Sequence, residues 1–319
     1  MILLVKTSSL GDVIHNLPVV SDIHVKRPDA RIDWVVEESF AAIPRLHPHV
    51  RNVLPVALRR WRRALLDSAT RREAGQFRQA LQRESYDVIL DTQGLIKSAL
   101  ISRLARGRRC GYAAEAAREP LAARAYDASF AIPKTLHAVE RNRWLAAAAL
   151  GYEPNLPLDY GIRAEPLVAD WLPAAPHPSH AVLLTATSRA DKLWPEEHWV
   201  ELAANLNGAG IACVLPAGSA IERERAQRLA DAMRHAVAAP PLALEPLARL
   251  LAGARIVIGV DTGLTHLAAA LGRPTIALFA GSDPRLTGVH AGSGAINLGG
   301  AGNPPSPQDV VAAVAKLLP

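Results

Sequence analysis

Cysteine is nearly missing from this chain: Cys110 and Cys213 are the only two among 319 residues, far apart and in no C-x-x-C pair. Neither a disulfide framework nor a thiolate metal centre is suggested, and a reducing compartment fits best. Long apolar runs are also lacking. None reaches the ~18 residues of a spanning helix, and the start carries no basic flank, apolar segment and small-residue cleavage site, so a cytoplasmic location is expected. The loop after the first apolar run has no G-x-G-x-x-G, and G-x-x-x-x-G-K-[ST] occurs nowhere. Neither a dinucleotide-dependent dehydrogenase nor a P-loop nucleotidase is therefore favoured. No 20–50-residue repeat or low-complexity segment is found, which argues against a solenoid.

What the chain does contain is an ordinary globular composition, 50% apolar and 21% charged, long enough for one large or two medium domains. Short apolar runs alternate with helical patterns: Ile2–Val5 before a helix near 11–26, Ile32–Val36, Val53–Val56 before a helix near 69–84, and Val88–Leu90 before one near 95–105. Nearly all-apolar strands each followed by a helix read as buried parallel strands in βαβ units. Around 153–180 the texture turns Pro-rich, "EPNLPLDYGIRAEPLVADWLPAAPHPSH", and predicts a domain end, a linker and a short helix. The alternation then restarts with "AVLLTAT", "IACVLPAG", "ARIVIGVD" and "TIALFA" and helices near 196–208, 220–235 and 263–271. Two doubly wound α/β domains in tandem are expected, with ligands at the carboxyl ends of the strands.

Charge separates the two halves. Residues 1–165 carry 25 Lys and Arg against 18 Asp and Glu, and residues 166–319 carry 11 against 12. The stretch "RRWRRALLDSATRRE" (59–73) is either a solvated helical face or a patch facing phosphates, nucleic acid or an acidic membrane surface.

Four loops are candidates for chemistry. In "GVDTGLTHLAAAL" a strand ends at Asp261, Thr262 is a plausible N-cap, and Gly263 lets a ligand approach the helix's first N–H groups, a natural phosphate seat. His266 is either a further ligand contact or a polar residue of the first turn. In "TATSRADKLWPEEHW" Lys192 either neutralises a leaving diphosphate or is a solvated loop lysine. In "GSAIERE" Ser219 and Glu222 form a capping-box pattern, so Glu222 either caps or binds a ribose hydroxyl, or does both. In "KTSSLGDVIHNLP" Asp12 is either a helix-start acid favoured by the dipole or an ionised general base, with His15 the next candidate.

Together, "KTSSLGDVIHNLP", "DWVVEESFAAIP", "VALRRWRR", "LDTQGLIKSAL", "TSRADKLWPEEHW" and "VDTGLTHLAAAL" closely resemble the ADP-heptose glycosyltransferase family, in order from the first strand to about residue 285. The resemblance implies a GT-B fold: a Rossmann-like acceptor-binding domain, 1–165, facing a Rossmann-like ADP-heptose-binding domain, 166–319, across a cleft. "SPQDVVAAVAKLL" (306–318) is the candidate for a last helix that crosses back to the first domain. It implies inverting transfer of L-glycero-D-manno-heptose from ADP-heptose to the first Kdo of Kdo2-lipid A, with no cofactor, no metal and no nucleic acid partner, and peripheral contact with the inner membrane's cytoplasmic face. The alternatives are addition of the second heptose and a non-catalytic nucleotide-sugar-binding module. Asp12 resembles the general base and Lys192 the residue stabilising the departing diphosphate. Thr187, Ser188, Lys192, Glu222, Asp261, Thr262, Gly263 and His266 are implied on the donor side, and Ser9, Arg60, Arg63, Lys97 and Arg118 on the acceptor side.

Overall fold

A computed structural model describes residues 1–173, 180–187 and 189–318. The chain forms two compact units, Met1–Ile162 and Arg163–Pro319.

In the first unit, β1 (Ile2–Val5), β2 (Ile32–Glu37), β3 (Val50–Val56), β4 (Ser85–Asp91), β5 (Arg106–Tyr112) and β6 (Ala128–Phe130) build one sheet in the order β3-β2-β1-β4-β5-β6. Every pairing is parallel. The four residues of β1 are all buried, as required of a central strand covered by helices on both faces. The second unit repeats the plan with β7 (His180–Leu184), β8 (Ala212–Leu215), β9 (Ala236–Ala238), β10 (Ile256–Val260), β11 (Thr275–Phe279) and β12 (Ala295–Gly299), in the order β12-β11-β10-β7-β8-β9. In both sheets strand order reverses once, between β1 and β4 and between β7 and β10. This is the Rossmann arrangement.

Where sequence and structure differ, the reasons are local. The helix expected near 11–26 is two helices, Leu10–Ile14 and Leu17–Lys26, because Pro18 has no N–H to continue the first and is suited to the opening turn of the second. β5 escapes the apolar pattern because its first half, Arg106–Arg108, is exposed. β6, β9 and β12 are edge strands too short or too Gly-rich to register. The short helix expected within 153–180 is absent from the described residues of that stretch.

The last helix, Pro307–Leu317, seats Val310 and Ala313 in the core of its own unit, beside Trp199 and Leu202 of the helix Glu196–Gly208. Trp194 and Trp199 meet edge to face at 4.9 Å in that core, and Trp194 Nε1 donates to the Pro305 carbonyl at 2.9 Å. A buried ring thus anchors the Gly- and Pro-rich tail.

One buried ion pair ties the end of the first unit to its start. Arg143, on the helix Ala138–Leu150, donates through Nε and Nη2 to the Asp22 carboxylate at 2.8 and 3.0 Å, and through Nη2 to the Leu156 carbonyl at 2.6 Å. Both side chains are buried. Removing one partner strands the other charge away from water, so Arg143→Ala is expected to cost ~3–5 kcal/mol, read as a lower urea midpoint for the first unit. Arg143→Lys, which lacks the two-pronged geometry, should recover only part. An unchanged midpoint would remove the strap from this account.

Candidate active site

The reversal of strand order leaves the carboxyl ends of β1 and β4 uncovered in one unit, and those of β7 and β10 in the other. Candidate residues from sequence collect at both places.

In the first unit the loop Lys6–Ser9 leaves β1 and enters the helix Leu10–Ile14. Asp12 sits at the third position of that helix and accepts from Ser9 N at 2.9 Å and Ser9 Oγ at 3.3 Å. Arg118 Nη1 donates to the same oxygen, Oδ2, at 3.3 Å. None of these bonds uses Oδ1. Burial pushes the Asp12 carboxyl up, but the charges of Lys6 and Arg118 and the two Ser9 bonds outweigh it and hold it below the usual carboxylate range. Lys97, opening the helix Ile96–Leu104 after β4, donates to Ser8 Oγ at 3.1 Å. Gly94 turns the chain after β4 with a φ of +65°, a conformation that favours glycine, and a Cβ there would stand 3.1 Å from the Tyr112 ring.

Three residues not singled out from sequence complete this place. Lys6 is buried, donates to the Thr92 carbonyl at 2.8 Å, and is held below its ordinary pKa by burial, against the pull of Asp12 and Asp91. Gln93 Oε1 accepts from the N–H groups of Thr7 and Ser8 at 3.0 and 3.1 Å, pinning the loop. Asp91 is buried and accepts from Gln93 N at 2.8 Å and from the Tyr126 hydroxyl at 2.8 Å. Thr7 Oγ1, Thr92 Oγ1 and Gln93 Nε2 are buried with no hydrogen-bond partner among the described residues. The available signal was position: each of these residues is at, or within a few residues of, the carboxyl end of β1 or β4.

In the second unit Asp261, just after β10, organises the site. Its Oδ2 accepts from Lys192 Nζ at 2.5 Å and from Ser282 Oγ at 2.6 Å, and its Oδ1 lies 4.0 Å from His266 Nε2. Burial opposes ionisation, but the nearby His266 ring, the bonds from Lys192 and Ser282 and the lysine's charge hold Asp261 far below the usual range. Lys192 is therefore fixed in place instead of solvated. Gly281 permits this: a Cβ there would stand 2.6 Å from the Asp191 carbonyl oxygen, so only glycine admits the Ala190–Lys192 turn. Thr187 Oγ1 donates to the Asp261 carbonyl at 3.3 Å. Thr262 occupies the cap position of the helix Gly263–Ala270, yet its hydroxyl bonds none of the helix's amides. The first N–H groups there suit a phosphate.

The remaining candidates are placed differently. Glu222 Oε2 accepts from Gly218 N and Ser219 N at 3.0 and 2.8 Å, a formed capping box, so the capping role is fulfilled. Arg60 is held between Glu38 and Glu73 at 3.0 and 2.8 Å, and Arg63 is exposed nearby. His15 is buried beneath the opening helix, its ring 5.5 Å from that of His137. Ser188 lies outside the described residues.

Two Rossmann-like units, one presenting an ionised carboxylate and cations and the other a fixed lysine beside an amide-rich helix start, define a GT-B-type glycosyltransferase. Residues 74–310 match the model of glycosyltransferase family 9 (heptosyltransferase), and the chain belongs to that family. Lipopolysaccharide heptosyltransferase 1 of Escherichia coli strain K12 is 48% identical over 291 residues, 91% of this chain and 90% of that one. The solved structure of E. coli heptosyltransferase WaaC with ADP superposes with a TM-score of 0.91 at 43% identity, covering 99% of each chain. The same enzyme with ADP-2-deoxy-2-fluoro heptose gives 0.86 at 42%, covering 99% of this chain and 98% of that one.

Because Asp261 has a depressed pKa in the folded chain, its stabilisation is present above the unfolded carboxylate value near 4 and disappears as pH falls through the folded value. Asp261→Asn should destabilise the second unit at pH 7 by roughly 1.5–3 kcal/mol for lost charge-assisted bonds, read as a lower thermal midpoint. It should also flatten the decline of that midpoint below pH ~4. An equally steep acid decline in the variant would contradict the assignment.

Proposed function

We propose that this chain transfers L-glycero-D-manno-heptose from ADP-heptose to the first Kdo of Kdo2-lipid A, with inversion, at the cytoplasmic face of the inner membrane. The observation that carries the reading is Asp12: an ionised carboxylate at a strand-order reversal whose bonds among the described residues all fall on one oxygen, leaving the other to take a proton. The relatives supply the substrates, since those described above are lipopolysaccharide heptosyltransferases and one is solved with an ADP-heptose analogue. The first unit is the acceptor side and the second the donor side.

In this mechanism Asp12 Oδ1 accepts the proton of the attacking Kdo hydroxyl. That oxygen forms its bond to the heptose anomeric carbon as the bond to the diphosphate breaks on the opposite face. A carboxylate held this acidic is a weak ground-state base, so proton transfer occurs late, as the hydroxyl becomes bonded to carbon. Negative charge grows on the departing ADP. Lys192, oriented by Asp261, and the amides of Gly263 and its neighbours meet it with dipoles already aligned, so no reorganisation is needed as the charge forms. Thr187, Ser188, Thr262 and His266 complete the donor side, and Glu222 binds the ribose through whatever capacity its cap leaves. Ser9 and Arg118 orient Asp12, and Lys97, with Arg60 and Arg63 farther out, meets Kdo carboxylates or lipid A phosphates. Among the described residues no helix is long and apolar enough to cross a membrane, so contact with the lipid is peripheral in this reading.

Incubation with ADP-heptose and Kdo2-lipid A should release ADP above an acceptor-free control, and none released would overturn the proposal. An acceptor already carrying the first heptose should serve poorly; preference for it would reassign the chain to the second transfer. Asp12→Ala should lower turnover at least ~10²-fold with ADP-heptose affinity little changed. Lys192→Ala should also slow turnover, by ~10–10²-fold, because charge on the leaving group is left unmet; wild-type rates would refute that role.

A further inference from the structure

The helix Ile96–Leu104 is built inside out. Its buried side consists of Ser98, Ala99, Ile101 and Ser102, with the two serine hydroxyls bonded back to the carbonyls of Leu95 and Ser98 at 2.8 and 3.0 Å. Three of its four large aliphatic residues point outward: Ile96, Leu100 and Leu104, at spacing i, i+4, i+8, are 41%, 58% and 37% exposed. A surface helix normally shows the reverse, and side chains at this spacing form one continuous stripe. The segment Pro120–Ala125 packs alongside, tied by the Ile96 N–H to the Glu119 carboxylate at 2.6 Å, and adds Leu121, itself 57% exposed.

The surroundings are strongly basic. Residues 95–125 contain seven Lys and Arg against two Glu, and Arg103, Arg106 and Arg124 are exposed. An apolar stripe bordered by cations matches a surface that is apolar beneath an anionic layer. The stripe also begins at the proposed acceptor end, since Lys97 bonds Ser8 beside the loop that carries Asp12.

We propose that the face formed by Ile96, Leu100, Leu104 and Leu121 docks on an anionic lipid bilayer. The docking holds the first unit so that the head of a lipid-borne acceptor reaches Asp12 without leaving the membrane. This rests on the reading of the acceptor given above and assigns the surface that meets its membrane.

The test uses the full chain and sedimentation with vesicles free of donor and acceptor, either phosphatidylcholine alone or an equal mixture with phosphatidylglycerol. The wild type should sediment with the mixed vesicles and stay in solution with phosphatidylcholine alone. The double variant Leu100→Ser/Leu104→Ser should lose about tenfold in partitioning, as expected for removing two aliphatic anchors. Its turnover on a deacylated, water-soluble acceptor should equal that of the wild type. Leu100→Trp gives a second readout: its fluorescence should shift to the blue on mixed vesicles alone. Equal sedimentation of variant and wild type, or none with either vesicle, overturns the proposal. So does self-association that the double variant abolishes in the absence of vesicle binding, which would make the face a contact between copies. If vesicle binding behaves as expected while neither protein releases ADP, the assigned reaction fails and the docking surface stands.

Discussion

Parallel strands wound outward from the middle of a sheet send their connections to opposite faces, and where the winding reverses no helix covers the strand ends. Each unit of this chain has one such place, and Asp12 and Lys97 in the first unit and Lys192 and Asp261 in the second gather at it. Lys6 and Asp91 are buried charges at the ends of adjacent strands, an arrangement costly in a closed core. They are tolerated because backbone groups exposed by the reversal bond them: the Thr92 carbonyl for Lys6, and the amides of Gln93 and Gly94 for Asp91.

Asp12 shows how a structural device becomes a chemical one. Glu222 and Asp309 stand in the same position relative to Ser219 and Ser306, and each reaches back to the amide of its cap residue. Asp12 makes that bond too, but within a field of Lys6 and Arg118 that neither of the others has. The cap fixes one oxygen, the cations favour the ionised form, and in the proposed mechanism the second oxygen takes the proton. In that mechanism the geometry of a helix start and the placement of the base are one arrangement.

The two units meet charge in different ways. The first concentrates cations, several already engaged by carboxylates, as Arg60 is by Glu38 and Glu73. The second has almost no net charge and relies on one lysine, locked against Asp261, and on backbone amides. A diffuse cationic surface suits a large anionic lipid approached from one side, and a small set of fixed donors suits a diphosphate of defined shape.

By itself the sequence determined the fold class, the two-unit plan and the loops to inspect, because buried parallel strands are written as unbroken apolar runs and helix starts carry their own capping signals. Asp12, Lys192, Asp261 and Gly263 stood out because each lies in the loop or helix start that follows such a run. The sequence did not show β5, whose exposed arginines hide its strand character, or the inverted helix Ile96–Leu104, whose periodicity reads the same whichever face is buried. Nor did it show that Lys192 is held by Asp261, which also accepts from Ser282, that Arg118 reaches Asp12, or that Gly281 lets the Lys192 turn approach. Those contacts join residues 21 to 106 positions apart. Only tertiary structure decided them, because which side chains meet at a strand-order reversal depends on where the sheet places strands distant in the chain, and no local pattern encodes that.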